Sequence, residues 1–369
     1  MLLRERAEAG HERAVDGLGI GSSCLDVEGA HVPELREDNE RGALGGLANE
    51  VAHSRNSRLD RLGGGAVQLD QGNGHRHAWM VTPSAMVQTV YGLPMNSKQP
   101  TAPDLISAWH EVMLDARSNA DDAAAWTLPT SCPGWSVGDL IAHLLDIDGL
   151  LAGDPRPDHE PDWDSLPHAV GPVSRMTEVG VDARRATPMA EVLAEFDSVL
   201  ERRSAQLAAG PMDLAVMVMG PFGSERPLGR VLTMRTFDAW VHAQDIRAAR
   251  GLPAQLDSAA ALITADQLLS GLPLIWGKTV AAPPGTVLAL HITGPVINSD
   301  IQVGVDDEQR GVMVQGADPD LTLTASWPDL LDLMTGRVAV DDPGLLARIT
   351  LDGDEGLSNR LLSALNVTP

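Results

Sequence analysis

The chain of 369 residues is poor in cysteine, lysine and positive charge. Cysteine occurs twice, at Cys24 and Cys132; far apart and in unlike contexts, the two form no disulfide framework and fit a reducing cytoplasm. Lysine occurs only at Lys98 and Lys278, while Ala, Gly and Arg abound, a pattern of G+C-rich coding that gives single arginines little weight. The formal net charge of −24 leaves no basic surface for nucleic acid and disfavours an anionic membrane. No uninterrupted apolar run approaches the roughly 20 residues of a membrane helix. The N-terminus lacks the apolar stretch of a signal peptide. A Walker loop, a dinucleotide fingerprint and a Cys-x-x-Cys pair are also missing. These absences point to a cytoplasmic protein that binds neither nucleic acid nor a membrane.

The length suggests two or three domains. Residues 1–94 differ from the rest. They are rich in Gly and Arg, show no sustained period, and scatter His11, His31, His53, His75 and His77 without a metal-site spacing. The stretch "MNSKQPTAPDL" reads as the start of a protein at Met95, so residues 1–94 are expected to be a disordered extension or a mis-assigned start. From 100 to 280 the pattern is helical. "APDLISAWHEVMLDARSNADD" carries apolar residues at Leu105, Trp109, Met113 and Leu114. "SVGDLIAHLLDIDGLLAG" opens with Ser136 and has Asp139 three residues on, a capping box with Asp in place of Glu. A third helix runs from Pro188 to Gly210, a fourth from Leu228 to Gly251, and a further one follows from Leu256. Four long helices predict a bundle whose facing side chains can build a site.

Past "AAPPG" (281–285) the texture is that of short strands: "TVLALHITG", "SDIQVGVDD", "RGVMVQG" and "DLTLTAS". Two helical pieces follow, so residues 285–369 are expected to form a small α+β domain, a strand meander with helices on one face.

The fourth helix contains "RTFDAWVHAQDIRAARG". Asp238, His242 and Asp245 fall at i, i+4 and i+7 on one face, which is either a solvated edge or a site. His143 lies on the second helix among Leu140, Ile141, Leu144 and Leu145. Each fragment alone is weak. Together, two donors one turn apart and a third on a neighbouring helix have the composition of a divalent-metal site, zinc above all. Asp245 either orients the His242 imidazole or is an exposed acid beside Arg247 and Arg250. Trp109, Trp135 and Trp240 could line a pocket or pack the core. Cys132, in a Pro-Gly turn, reads as a packing residue more readily than a reactive one. His110 and His291 read as surface and strand residues, and "GPFGSERPLGR" as a loop able to act as a lid.

The runs "TLPTSCPGWSVGDLIAHL" and "RTFDAWVHAQDIR" resemble the mycothiol-dependent maleylpyruvate isomerase family of actinobacteria, over roughly Pro100 to the C-terminus. The C-P-G-W turn (Cys132 to Trp135), the capped helix ending in A-H-L and the W-V-H-x-x-D-I-R run carry the likeness. "DLLDLMTGR" and "GDEGLSNRLLSAL" extend it more loosely. The resemblance implies a DinB-like four-helix bundle followed by a sterol-carrier-like α+β domain, with a metal on His143, Asp238 and His242. The family pattern has Glu where this chain has Asp238, one methylene shorter. It also implies an arginine for an anionic substrate, with Arg337 and Arg247 as candidates. By the same likeness mycothiol, a low-molecular-weight thiol, is the cosubstrate: the metal lowers its pKa, and the thiolate adds to a small electrophile for isomerisation or S-transfer. A non-catalytic metal- or ligand-binding module of the same fold, and a plain helical interaction protein, are the alternatives. A monomer or small homo-oligomer is expected.

Overall fold

The computed structural model describes residues 100–368; the expected extension over 1–94 lies outside them. Helix α1 (Ala102–Asn119) is capped by Thr101, whose backbone N–H donates to the Asp104 carboxylate at 2.8 Å. A single turn, α2 (Ala123–Trp126), leads to α3 (Val137–Ala152). The capping box read from the sequence is present in α3. Ser136 Oγ accepts from the Asp139 N–H at 3.2 Å, and Asp139 accepts the Ser136 N–H at 2.8 Å. Gly153, in the left-handed region, ends the helix. Helix α4 (Pro172–Asp182) was not foreseen, because its apolar positions are sparse. It is followed by α5 (Met189–Ala209).

The Gly/Pro-rich segment expected to be a loop folds as a hairpin of β1 (Met217–Met219) and β2 (Glu225–Pro227) that feeds directly into α6 (Leu228–Ala249). Helices α1, α3, α5 and α6 form the bundle, α1 against α6 and α3 against α5. Helix α7 (Ala259–Ser270) packs on α6 and runs through a further turn into a π-helical turn at Ile275–Thr279. The run Ala259–Thr279 is long and apolar enough to cross a membrane by length and composition. Asp266 and Lys278 interrupt it. Its Ala261, Ala265, Leu268, Leu269, Ile275 and Trp276 are buried in the protein core, as in the core helix of a globular fold.

The second part contains β3 (Val287–Thr293), β4 (Ser299–Val305), β5 (Gly311–Val314), β6 (Leu321–Ser326) and β7 (Thr350–Gly353). Helices α8 (Trp327–Met334), α9 (Pro343–Leu346) and α10 (Glu355–Leu365) accompany them. The sheet order is β5-β4-β3-β6-β7. The expected meander therefore holds only for β3–β5. The chain then crosses over, and β6 pairs parallel to β3. Alternation fixes which face a side chain turns to, and it carries no information on neighbours. Leu321, Leu323 and Ala325 turn inward, so β6 suits a place in the middle of the sheet beside the almost fully buried β3. Asp320 pins the crossover by accepting the Val287 N–H at 2.8 Å.

One hydrophobic cluster runs without a break from the bundle (Leu140, Leu144, Phe196, Trp240) through Trp276 into the sheet (Leu290, Val303, Leu323). At the seam, the backbones of Gly277 and Gly311 touch. A Cβ on Gly311 would lie 1.8 Å from the Pro273 carbonyl oxygen, and one on Gly277 would lie 2.2 Å from the Gly311 nitrogen. Neither backbone can yield as a side chain could. Gly311→Ala is therefore expected to destabilise the protein by about 1–3 kcal/mol, the range for overpacking a tight contact. A denaturant midpoint equal to wild type would contradict that reading.

Candidate metal centre

The apolar stripes of α3 and α6 bring the two helices together in the bundle, and the polar residues embedded in those stripes meet at the seam. His143, from α3, is 5% exposed, and His242, from α6, is 9% exposed. Asp238 sits one turn before His242. Its carboxylate lies 3.3 and 3.4 Å from His143 Nε2, and its Oδ1 is 3.6 Å from His242 Nε2. The two imidazoles stand edge to face, centroids 4.9 Å apart. All three donor atoms fall within 4.8 Å of one another. Donors about 2.0–2.1 Å from a tetrahedral zinc-type ion are about 3.3–3.4 Å apart. The two edges from Asp238 are close to that, so this set of two nitrogens and one oxygen fits a divalent cation.

Around the cluster is a shell of buried charge that the sequence reading missed. Arg235, three residues before Asp238 on α6, donates to Asp238 Oδ2 at 2.5 Å and to Asp148 of α3 at 2.8 Å. The Trp109 indole N–H also reaches Asp148, at 3.4 Å. The signal lay in "LLDIDGLL", where an acid interrupts an apolar run. Burial opposes ionisation of Asp238, but His143 and Arg235 outweigh it and hold the carboxyl well below the usual range. Burial also holds His143 below the ordinary imidazole range despite Asp238, which keeps the ring neutral and its nitrogen lone pair available. His143 Nδ1 is buried without a hydrogen-bond partner.

On the other side of His242, Asp245 is 3% exposed and accepts from Nδ1 at 3.1 Å. It is thus a buried partner of the imidazole, and the alternative of an exposed acid beside Arg247 and Arg250 does not hold. Arg337, from the turn after α8, clamps the same carboxylate with two bonds, at 2.9 and 2.6 Å, and donates to Cys132 Sγ at 3.4 Å. Burial would raise Asp245, yet His242 and Arg337 bring it down to about 2. Cys132, read from the sequence as a packing residue, is a free, half-buried thiol at the site. Its Sγ lies 3.4 Å from Asp245 Oδ2. Burial, reinforced by Asp245, pushes this thiol up to about 12 although Arg337 pulls the other way.

Trp135 packs over both imidazoles, with centroids 5.1 and 6.1 Å away. Its indole N–H donates to buried Glu178 of α4 at 2.7 Å, so the unforeseen helix holds this wall in place. Gly134, at φ +78°, permits the turn that presents it.

Of the two candidate arginines, Arg337 is brought to the cluster and Arg247 is not. The Arg247 guanidinium is engaged by Asp115 at 2.9 Å and by the Pro253 carbonyl. Trp240 is a core residue whose N–H reaches the Gln255 carbonyl. His110 lines a shallow groove with Ile106 and Met212, and exposed His291 pairs with Asp300 across β3 and β4.

A helical bundle with a partly buried His–Asp–His donor set, joined by an arginine from an appended α+β part, defines a class of candidate metal-site proteins. Residues 106–247 match the family model of the mycothiol maleylpyruvate isomerase N-terminal domain. Crystal structures of the mycothiol-dependent maleylpyruvate isomerase and of a point mutant of it are similar to this chain, at 16% and 15% identity. Each match covers 68% of this chain and 92% of the other, with TM-scores of 0.41 and 0.43. A sterol carrier protein 2-like 2 structure from Aedes aegypti is similar at 22% identity over 27% of this chain and 94% of its own, with a TM-score of 0.22. No curated protein matches the sequence.

Removing Arg235 would strand the buried Asp148 carboxylate and the half-buried Asp238 carboxylate. Arg235→Met is therefore expected to cost about 3–5 kcal/mol in the metal-free protein. Combined with Asp148→Asn it should cost less than the two changes summed, because they share one interaction. Additive losses in denaturation would show that the pair is not coupled.

Proposed function

We propose that this protein is a metal-dependent, mycothiol-dependent enzyme that carries out isomerisation or S-transfer on a small electrophile. In this reading it works in the cytoplasm as a monomer or small homo-oligomer. The observation that carries the reading is convergence: one donor atom from each of His143, Asp238 and His242 lies within 4.8 Å of the others. Asp148, Asp238 and Asp245 are in direct contact with only two guanidiniums, Arg235 and Arg337, while His143 is kept neutral. Nitrogen and oxygen donors thus converge beside a cluster of carboxylates at the seam of the bundle. A site of this kind calls for a cation.

His143 Nε2, Asp238 and His242 Nε2 would hold the ion, with zinc the best match to such donors. A bound dication supplies the field that lowers a thiol's pKa from about 8.5 to below neutrality. The chain's own residues do the rest. Asp245 accepts the Nδ1 proton of His242 and so fixes the tautomer that leaves Nε2 free. Arg235 orients Asp238, and the Trp135 ring excludes water from one side of the imidazoles. Arg337 offers its guanidinium to the carboxylate of an anionic substrate. Cys132, kept protonated, does not compete as nucleophile.

The full-length protein is expected to purify with about one divalent ion per chain, read by elemental mass spectrometry. His143→Ala and His242→Ala should each lose it. Turnover of maleylpyruvate, or conjugation of an electrophile, should require added mycothiol and the metal. Metal retained in both variants would end the ligand assignment. A metal-replete protein that is inert with mycothiol would leave a binding module.

A further inference from the structure

His242 belongs to two donor sets, one through each ring nitrogen. Nε2 faces Asp238 and His143. Nδ1 faces Asp245 Oδ2 at 3.1 Å and Cys132 Sγ at 3.8 Å, and the sulfur and that carboxylate oxygen are 3.4 Å apart. Nitrogen, oxygen and thiolate donors around a tetrahedral ion, at about 2.0–2.3 Å, lie about 3.3–3.7 Å apart. The second set has nearly those edges before any ion arrives. Positive charge is already drawn to this spot, because Arg337 Nη2 reaches both the sulfur, at 3.4 Å, and the carboxylate, at 2.6 Å. The guanidinium thus stands where a smaller, denser cation could stand.

We propose that Cys132, His242 Nδ1 and Asp245 form a second donor set, which takes a thiophilic dication (zinc in excess, cobalt or cadmium) in exchange for the Arg337 guanidinium. The exchange forms metal–sulfur, metal–nitrogen and metal–oxygen bonds and releases the Cys132 thiol proton to solvent. Where Nε2 already serves the first set, the Nδ1 proton leaves as well, and the imidazole bridges two ions. That added proton loss makes the second ion the weaker one. Its arrival expels Arg337 from the substrate side of the site, so excess metal inhibits. The inference rests on the proposed first set only for the order of filling.

Cobalt(II) titration of the metal-stripped full chain tests it, because a thiolate-to-cobalt charge-transfer absorption develops only when sulfur is bound. The first equivalent is expected to give ligand-field bands alone and the second to add the thiolate absorption. Cys132→Ser should lose that absorption while keeping the first ion. His143→Ala should lose the first ion while keeping the absorption. Arg337→Met removes the competing charge-assisted bonds, worth about 1.5–3 kcal/mol, and should tighten the second ion about tenfold or more. Three results would each overturn the proposal: no thiolate absorption at any loading, absorption that survives Cys132→Ser, or an unchanged second affinity in Arg337→Met. If instead the thiolate absorption rose with the first equivalent and no ion depended on His143, the second set would stand. The proposed catalytic metal would then fall.

Discussion

The placement of the Asp238 carboxylate constrains the rest of this structure. It sits between a buried guanidinium and two imidazoles at the seam of α3 and α6, where the bundle is otherwise apolar. Charges in such a place do not stabilise a fold. Buried ion pairs are commonly matched or bettered by well-packed apolar side chains. The bundle nevertheless keeps Asp148, Arg235 and Asp238 in one chain of charge contacts and Asp245 and Arg337 in another. Local disagreement with good packing, concentrated at one spot in a core that is elsewhere consistent, is the mark of a site that serves function at a cost in stability.

The α+β part has a definite role in this arrangement: it delivers Arg337. Helix α8 packs its Leu330, Leu331, Leu333 and Met334 into the shared core. The turn that follows is fixed from several directions. The Thr335 hydroxyl donates to the Leu331 carbonyl and the Arg337 N–H to the Asp332 carbonyl. The Val367 N–H reaches Met334 O, and the Thr368 hydroxyl donates to Thr335 O. The C-terminal strand of chain therefore ties down the segment that projects the guanidinium into the bundle. An arginine carried on a free loop would have lost more conformational freedom on pairing with Asp245.

Helical periodicity made the four long helices of the bundle legible in the sequence, and chain punctuation gave their ends, down to the Ser136–Asp139 box. The spacing of Asp238 and His242 placed two polar groups on one face, and the bundle brought His143 to them. What could not be read depends on approach in space. Cys132 and Trp135 lie in a turn, where no period reports direction; only the left-handed Gly134 aims them at the imidazoles. Arg247 and Arg337 were equal candidates in sequence. The first is near His242 along the helix but turned toward Asp115, whereas the second is distant in the chain and in contact in the fold. The parallel pairing of β3 and β6 was hidden for a similar reason, since inward-facing residues at alternate positions are compatible with several strand orders.

The short side chain of Asp238 is held in line by the same geometry. A carboxylate on so short a side chain must have its helix close to its partners or be pulled into line. Arg235 does the latter: it grips Asp238 Oδ2 on one side and Asp148 of the facing helix on the other, which draws α3 and α6 together at this level. Oδ1 is left directed at the two imidazole nitrogens, 3.4 Å from one and 3.6 Å from the other. A guanidinium bridge between the helices thereby holds this short side chain in place. The bridge also withdraws electron density from the carboxylate, so a cation held there would keep more of its positive field for whatever anion approaches from the open side.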